Sequence, residues 1–593
     1  MTGEQDGYRV PNPSAGTRTD TPLRDIPQSI QVIPQQVLKD QQANNVNEAL
    51  RNITGLTQGQ QSDRTSFEFT ARGFSSNTSL RNGLPDPLGS STIELSNVER
   101  IEFLSSPASV LFGQGGAGGT INFVTKQPLR DPFYAIEATV GSYDFYRGAV
   151  DLSGPLNDEK TVSYRLNTSY LDKNGFTDFF NEKVFLIAPV IRWDVSKKTS
   201  LTLEADYTEA KNLPLYGLPA IGTVLPNPNG QIPPKRNISE PDGYQQVKTT
   251  RVGYRLEHQF SDNWSFRNSF QAVFSRDDSG GVSAAGLESD DRTLDRGYGF
   301  LKNYVNNYNL TTDIIGKFST GSIKHQLLFG VDLSRSDVIE LSSSAYGTAP
   351  SLDLFNPVYS QPLGPSKGKY SFPSVTDTLG VYVQDQVTLA DNLKLLLGGR
   401  FDTLTSKNRD ELANTESSQS SDAFSPRFGI VYQPLPPISL YASYSRSFSP
   451  ASGTDFEGNL FQPERGNQYE VGVKADLNDR LSVTLAFYEL TRTNISTDDT
   501  RPGVPQGNLI QIGEQRSRGI ELNMAGEILP GWNIYAGYAY TDARITEDNT
   551  FLMGNQLYNT PENAFKLWTS YEIQKGFLQG LGFGVGFFFV GDR

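Results

Sequence analysis

From about Phe133 to Asp592 the chain is a succession of segments in which apolar residues take every second position. "AIEATVGS", "YRGAVDLSG" and "TVSYRLNTSYLDK" come one after another, and "FGIVYQP", "LYASYSRSFSP", "LSVTLAFYELTRT" and "GFGVGFFFVGD" repeat the pattern later. A period of two sends alternate side chains to opposite faces of a strand, so one face meets lipid and the other a polar lumen. Tyrosine and phenylalanine gather near segment ends, where aromatic belts sit. The connections alternate in length. Short turns such as "NDEK", "SKKT", "SDNW", "TGS", "ADN", "LPP", "NDR" and "LPGW" are separated by long loops at roughly 211–244, 276–293, 341–371, 409–421, 451–465 and 497–507. One rim of short turns and one of long loops predicts a transmembrane β-barrel, periplasmic turns below and extracellular loops above. The count over this stretch is 19 strands. Bacterial single-chain barrels carry an even number, and open edges in lipid are costly, so about three further strands are expected in the whole protein.

Residues 1–130 differ in texture and predict a small mixed α/β domain, leaving 131–593 for the barrel. Helical signals lie at Ile33–Gln42 and Asn44–Ile53, where Val46, Leu50 and Ile53 share a face. Short strands are expected at "SIQVI", at Val98–Leu104 and at Gly119–Lys126.

Composition narrows the chemistry. A formal charge of −14 excludes a phosphate-binding surface for nucleic acid. The absence of cysteine excludes thiolate metal sites and disulfides. Only two histidines occur, His258 and His325, both in expected strand ends, and neither stands beside a nucleophile motif, so no enzyme is expected. No run of 18 apolar residues is present, and Met1-Thr2-Gly3 reads as the start of a mature or trimmed chain. "GQGGAGGT" (Gly113–Thr120) lacks the Lys-Ser/Thr ending and following helix of a phosphate loop; its glycines are read as letting the backbone turn tightly against the wall.

An ordered set of motifs resembles the TonB-dependent siderophore receptors, especially the ferrichrome and other hydroxamate types. "GTRTDTPLRDIPQSIQVIPQQVLKDQ" (Gly16–Gln41), "ALRNITGL", "ARGF" (Ala71–Phe74), "RNGL" (Arg81–Leu84) and Asn97–Pro128 are similar to the plug. In the barrel "GVYVQDQ", "GGRFD", "SYSRSFSP", "NQYEVGVK" and "RSRGIELN" follow in family order. The resemblance implies an N-terminal plug inside a barrel of about 22 strands. It also implies a short box, upstream of Thr2, that pairs with TonB of the TonB-ExbB-ExbD complex as an added strand. The chain as it stands is therefore expected to bind ligand without being energised. A ferric siderophore is the implied ligand, its iron held by the siderophore's own oxygens, so no protein metal ligand or cofactor is expected. The implied setting is the outer membrane of a Gram-negative bacterium, crossed many times by a monomer among lipid and lipopolysaccharide.

The resemblance also implies site residues. Arg72 should pair with the barrel glutamates Glu470 and Glu521, locking plug to wall, since charges facing a plugged lumen need partners. The family's second plug cation sits in a (Lys/Arg)-Gly-Pro tripeptide; here the tripeptide is Ser105-Ser106-Pro107, and Arg100 is taken as the substitute. Ligand contacts are expected at the plug apices, Gln58–Arg64 and Ser75–Ser90, with Gln60, Arg64 and Asn82, and on the loops at Tyr216, Tyr346 and Phe355. Two departures stand out: the second apex carries Pro85, Pro87 and Leu88 in place of an aromatic, and Ser279–Ser289 has none. Against a passive porin stands the N-terminal domain. A receptor for cobalamin, heme or another metal chelate would use the same architecture, and the opening "TRTDTPLRDIPQSIQVI" favours siderophores.

Overall fold

A computed structural model describes residues 7–59, 68–76, 78–86 and 93–592. The expected ligand contacts Gln60 and Arg64, and whatever remains of the TonB box before residue 7, lie outside the described residues.

The N-terminal domain is built on a five-stranded sheet. Its order is Ile30–Pro34, Val98–Leu104, Thr120–Thr125, Ser79–Arg81, Leu84–Pro85, with one parallel pairing between Ser79–Arg81 and Thr120–Thr125. A second sheet joins Leu56–Gln58, Phe69–Ala71 and Phe74–Ser76. The two expected helices form as Gln35–Asp40 and Val46–Leu50. The second begins at a cap: Asn45 accepts from the Glu48 N–H at 2.9 Å, and the Glu48 carboxylate accepts from the Asn44 N–H at 2.7 Å. Both are shorter than their apolar spacing suggested: the first because Ile33 and Pro34 belong to the preceding strand, the second because Asn45 caps its start and the chain leaves the helix at Arg51. One helical turn, Ser109–Phe112, was not anticipated. Val37, Leu50, Ile53, Ile101, Phe103, Ile121 and Phe123 pack as the domain core.

The glycine run around residue 118 is explained by crowding. A Cβ on Gly118 would overlap the Phe74 carbonyl oxygen, and Gly119 combines φ +94° with a Cβ site against the Leu104 carbonyl oxygen. Only glycine serves there. Gly119→Ala is expected to destabilise the plug by roughly 1–3 kcal/mol through strain and overpacking, seen as a lower denaturation midpoint of the plug in detergent.

Twenty antiparallel strands follow in circular order, from Phe133–Gly141 to Gly582–Val590, each beside its sequence neighbour. One of them, Ser366–Ser371, only flanks the top of Ile323–Asp353, which itself pairs with Ser374–Ala390. The other nineteen make the wall. Three expected long loops turn out to be largely strand, among them 409–421, of which only 411–414 lie outside Leu393–Asp410 and Thr415–Leu435. Residues 276–293 are carried by the hairpin Trp264–Leu287/Thr293–Thr320, and much of 341–371 continues Ile323–Asp353. About ten residues suffice to cross the membrane. These strands of 24, 28 and 31 residues therefore project well beyond it. The reason is backbone pairing: the ladder continues where the apolar alternation stops. The two histidines sit in wall strands, His258 bonded to Thr199 at 2.8 Å and His325 to Asp385 at 2.7 Å.

Candidate functional site

The plug fills the barrel and is held by buried charge. Arg72 and Gly73 form the two-residue turn of the hairpin Phe69–Ala71/Phe74–Ser76, with φ +51° and +83°. Two positive φ values mark a type I′ turn, and a non-glycine residue held there is strained. The turn aims Arg72 at the wall. Its Nε and Nη2 donate to the two oxygens of Glu521 at 2.9 and 2.8 Å, and Nη1 donates to Glu470 at 2.8 Å and Gln468 at 3.0 Å. The Tyr488 ring lies 4.1 Å from the guanidinium. All three charged residues are 1% exposed. Burial works against the Arg72 charge, but Glu521 and Glu470 outweigh it and raise its pKa, so it stays cationic.

The second cation is not supplied by Arg100, which bonds Glu102 inside the plug at 2.8 Å. Neutral donors take its place. The remaining Glu470 oxygen accepts the Ser29 N–H at 2.7 Å and the Tyr441 hydroxyl at 2.8 Å. Arg100 fails as a substitute because Glu102, two residues along the same strand, is nearer than either wall glutamate.

Three further attachments were not read from the sequence. Arg251 of the wall bridges Asp86 of the plug and Asp206 of the wall at 3.1 Å each, and Arg81 of the plug pairs with Asp206 at 2.9 Å. Arg18 of the plug reaches Asp332 at 3.2 Å and the Tyr382 hydroxyl, inside a network that includes Asp313, Arg267, Arg400 and Asp402. Finally, two wall lysines donate to plug carbonyls. Lys474 contacts the oxygens of Leu23, Ile26 and Gln28 at 2.6–2.7 Å, and Lys566 those of Ile53 and Leu56. The lysines lie in "NQYEVGVK" and "NAFKLW", where inward alternation is their only sequence signal.

Between the plug and the long-loop rim lies a cavity of about 620 Å³. Its floor is plug (Phe74–Ser76, Phe112–Ala117) and its sides are mostly hydroxyl and amide side chains, with Arg335, Arg465 and Arg492 among them. The expected apex Ser75–Ser90 contributes Ser75, Ser76, Ser79, Pro85 and Asp86 to it, whereas Asn82, Tyr216, Tyr346 and Phe355 do not line it. Asn82, in the Arg81–Leu84 turn, bonds Thr125 at 2.8 Å and Glu204 of the wall at 2.9 Å. Tyr216 and Phe355 pack on a loop core of Ile232, Ile238, Leu294, Leu352 and Leu354. Tyr346 lies beside Tyr370 in a projecting hairpin. Tyr216 and Phe355 are thus held by a loop core, and Asn82 by polar partners on a plug strand and on the wall.

Comparison with known proteins agrees with this architecture. The family described as TonB-dependent Receptor Plug Domain matches residues 22–120, and TonB dependent receptor-like, beta-barrel matches 192–593. The metal-pseudopaline receptor CntO of Pseudomonas aeruginosa is 35% identical over 100% of this chain and 84% of its own length. The ferrichrome outer membrane transporter/phage receptor of Escherichia coli is 31% identical over 98% of this chain and 81% of its own. The ferrioxamine B receptor of Salmonella typhimurium is 31% identical, over 99% and 85%. Among solved structures, P. aeruginosa FpvA bound to heterologous pyoverdines superposes with a TM-score of 0.87 at 25% identity, covering 99% of this chain and 79% of that one. A plug locked by buried charge inside a β-barrel, matched in both parts, places this chain in the TonB-dependent receptor family of the outer membrane.

Proposed function

We propose that this protein captures a ferric siderophore from outside the cell and imports it by TonB-dependent active transport. The observation that carries the reading is the cavity of about 620 Å³, open toward the long-loop rim and closed below by a fixed plug. A passive porin needs an open lumen; a floored cavity suits capture followed by energised release. TonB would act through the segment preceding the plug, and the receptor works as a monomer among outer-membrane lipid and lipopolysaccharide. Iron is cargo, chelated by the siderophore, with no protein ligand required.

The plug motifs and the ferrichrome and ferrioxamine B relatives favour a hydroxamate. A second reading is favoured by the cavity itself. Its two aromatic side chains, Phe74 and Phe112, are buried in the floor; Ser, Thr, Asn, Gln and arginine side chains dominate the rest, alongside Asp86, Asp332 and Glu464, with Arg335, Arg400 and Arg492 paired to carboxylates. Such a lining suits a hydrophilic, carboxylate-bearing metal chelate, whose charge arginine recognises. Calorimetric titration of the complete protein with ferric hydroxamates, catecholates and carboxylates separates the two. Arg465→Glu is expected to weaken a carboxylate chelate by about tenfold, near 1.4 kcal/mol, and to leave a neutral hydroxamate unchanged. Binding of cobalamin or heme, with no ferric siderophore bound, overturns the cargo assignment.

A further inference from the structure

A groove of about 630 Å³ lies on the outer face of the wall, away from the lumen and its transport chemistry. It crosses five neighbouring strands, from Leu393–Asp410 to Leu481–Asp498. In Ile438–Ser449 the odd positions face inward, as Tyr441 shows by bonding Glu470, so the even ones face lipid. One outward row reads Leu395–Ile430–Ala442–Val471–Phe487 in register, and the row above it Leu397–Phe428–Tyr444–Tyr469. Ala442 is the one small side chain in these two rows, so the groove is a notch at 442 between larger neighbours. Phe428, Tyr444 and Tyr469 stand along its upper edge, with successive ring centroids 6.4 and 5.1 Å apart. Phe428, Tyr469 and Val471 are each at least half exposed, so no described part of this chain covers the notch. In a bilayer an apolar hollow left empty forfeits dispersion contacts, and an acyl chain restores them.

What stands above the notch selects the lipid. The next outward row runs Arg446–Asn467–Thr491–Arg516, and Arg465 follows two residues beyond Asn467. Ile438–Ser449 rises from the short turn at 436–437 toward the long loop at 450–463, so these arginines lie on the extracellular side. Among the described residues Arg446 gives only its Nε, to the Asn467 amide oxygen at 2.8 Å, and none of the three arginines has a carboxylate partner. Their outward neighbours Arg518 and Arg544 do pair, with Glu489 and Asp542. Unpaired guanidinium forks at a membrane edge suit phosphate oxygens. The spacing suits a broad head: Arg446 stands about 14 Å along the strand from Ala442, and Arg516 about 14 Å across three strand spacings from Arg446.

We propose that this face of the barrel holds one outer-leaflet lipid whose head carries two phosphates, with an acyl chain in the notch at Ala442 and the phosphates on Arg446, Arg465 and Arg516. The site is independent of cargo and of TonB. Native mass spectrometry of the complete protein, stripped of lipid in detergent and titrated with diphosphoryl lipid A, should show one tightly retained copy. Lipid A without its phosphates, and phosphatidylethanolamine, should bind about tenfold or more weaker. Arg446→Gln/Arg465→Gln/Arg516→Gln should lose about tenfold or more in affinity for diphosphoryl lipid A, and Ala442→Phe, which fills the notch, should lose a similar amount. Arg518→Gln, whose parent charge is already paired, should change nothing. All these positions face away from the plug, so heat-modifiable mobility on a gel should report a folded barrel in each variant. Equal retention by the parent and the triple variant overturns the proposal, as does equal retention of phosphorylated and unphosphorylated lipid. Unchanged binding in Ala442→Phe overturns the acyl notch, and a lipid-free dimer formed through this face would replace the lipid with a second copy.

Discussion

Arg72→Ala is expected to cost the plug about 3–5 kcal/mol of attachment, because it strands two dry carboxylates in place of one matched cation. The geometry leaves little room for compensation. Glu521 has both oxygens on Arg72, and among the described residues the Glu470 oxygen that faces Arg72 has only Gln468 besides, at 3.2 Å. Denaturant titration in detergent should show the plug transition moving to lower concentration, with proteolysis beginning inside residues 7–125. Arg72→Lys should recover only part of the loss, since one ammonium cannot reproduce the paired contacts to Glu521. Adding Glu521→Gln to Arg72→Ala should restore part of it, because the buried charge itself is removed. A plug as stable in Arg72→Ala as in the parent would show that the cluster is hydrated and not a lock.

Arg251→Ala is expected to produce a loss of the same order, about 3–5 kcal/mol, at a place no motif marks. Asp86 is fully buried and its ion pair is with Arg251 alone among the described residues. Asp206 would keep Arg81, so the damage should fall on the plug turn that carries Asp86. Arg251→Ala/Asp86→Asn should therefore be milder than Arg251→Ala. The two sites share no partner, and the losses from Arg72→Ala and Arg251→Ala should add within about 0.5 kcal/mol. Equal stability of Arg251→Ala and parent would place water, not Arg251, as the main partner of Asp86.

The sequence by itself determined the wall. A period of two repeated over some 460 residues, with turns and loops in alternation, has one physical solution in a membrane, because every strand edge must be paired. It also carried the meeting of Arg72 with Glu470 and Glu521, though only through motifs resembling a family. Nothing local ties residues separated by 398 and 449 positions. The glycine run was legible as tight backbone but not its neighbour: the wall was expected, and while Gly113 meets Arg400 and Asp402, Gly118 and Gly119 crowd against Phe74 and Leu104 of the plug itself.

Tertiary structure decided the rest. Alternation says that Lys474, Lys566, Asp332 and Arg251 face inward, but not at what height, nor which plug atom stands opposite. That depends on strand register and on where the plug sits, and both emerge from the whole assembly. Arg100 shows the limit: the sequence offers a cation near the vacant position, and packing gives it to Glu102 instead. Tyr216 and Phe355 show it again, since an aromatic in a long loop looks the same whether it meets cargo or a loop core. Residue pattern fixed which face each side chain takes; only the closed barrel, filled by its plug, fixed what lies across from it.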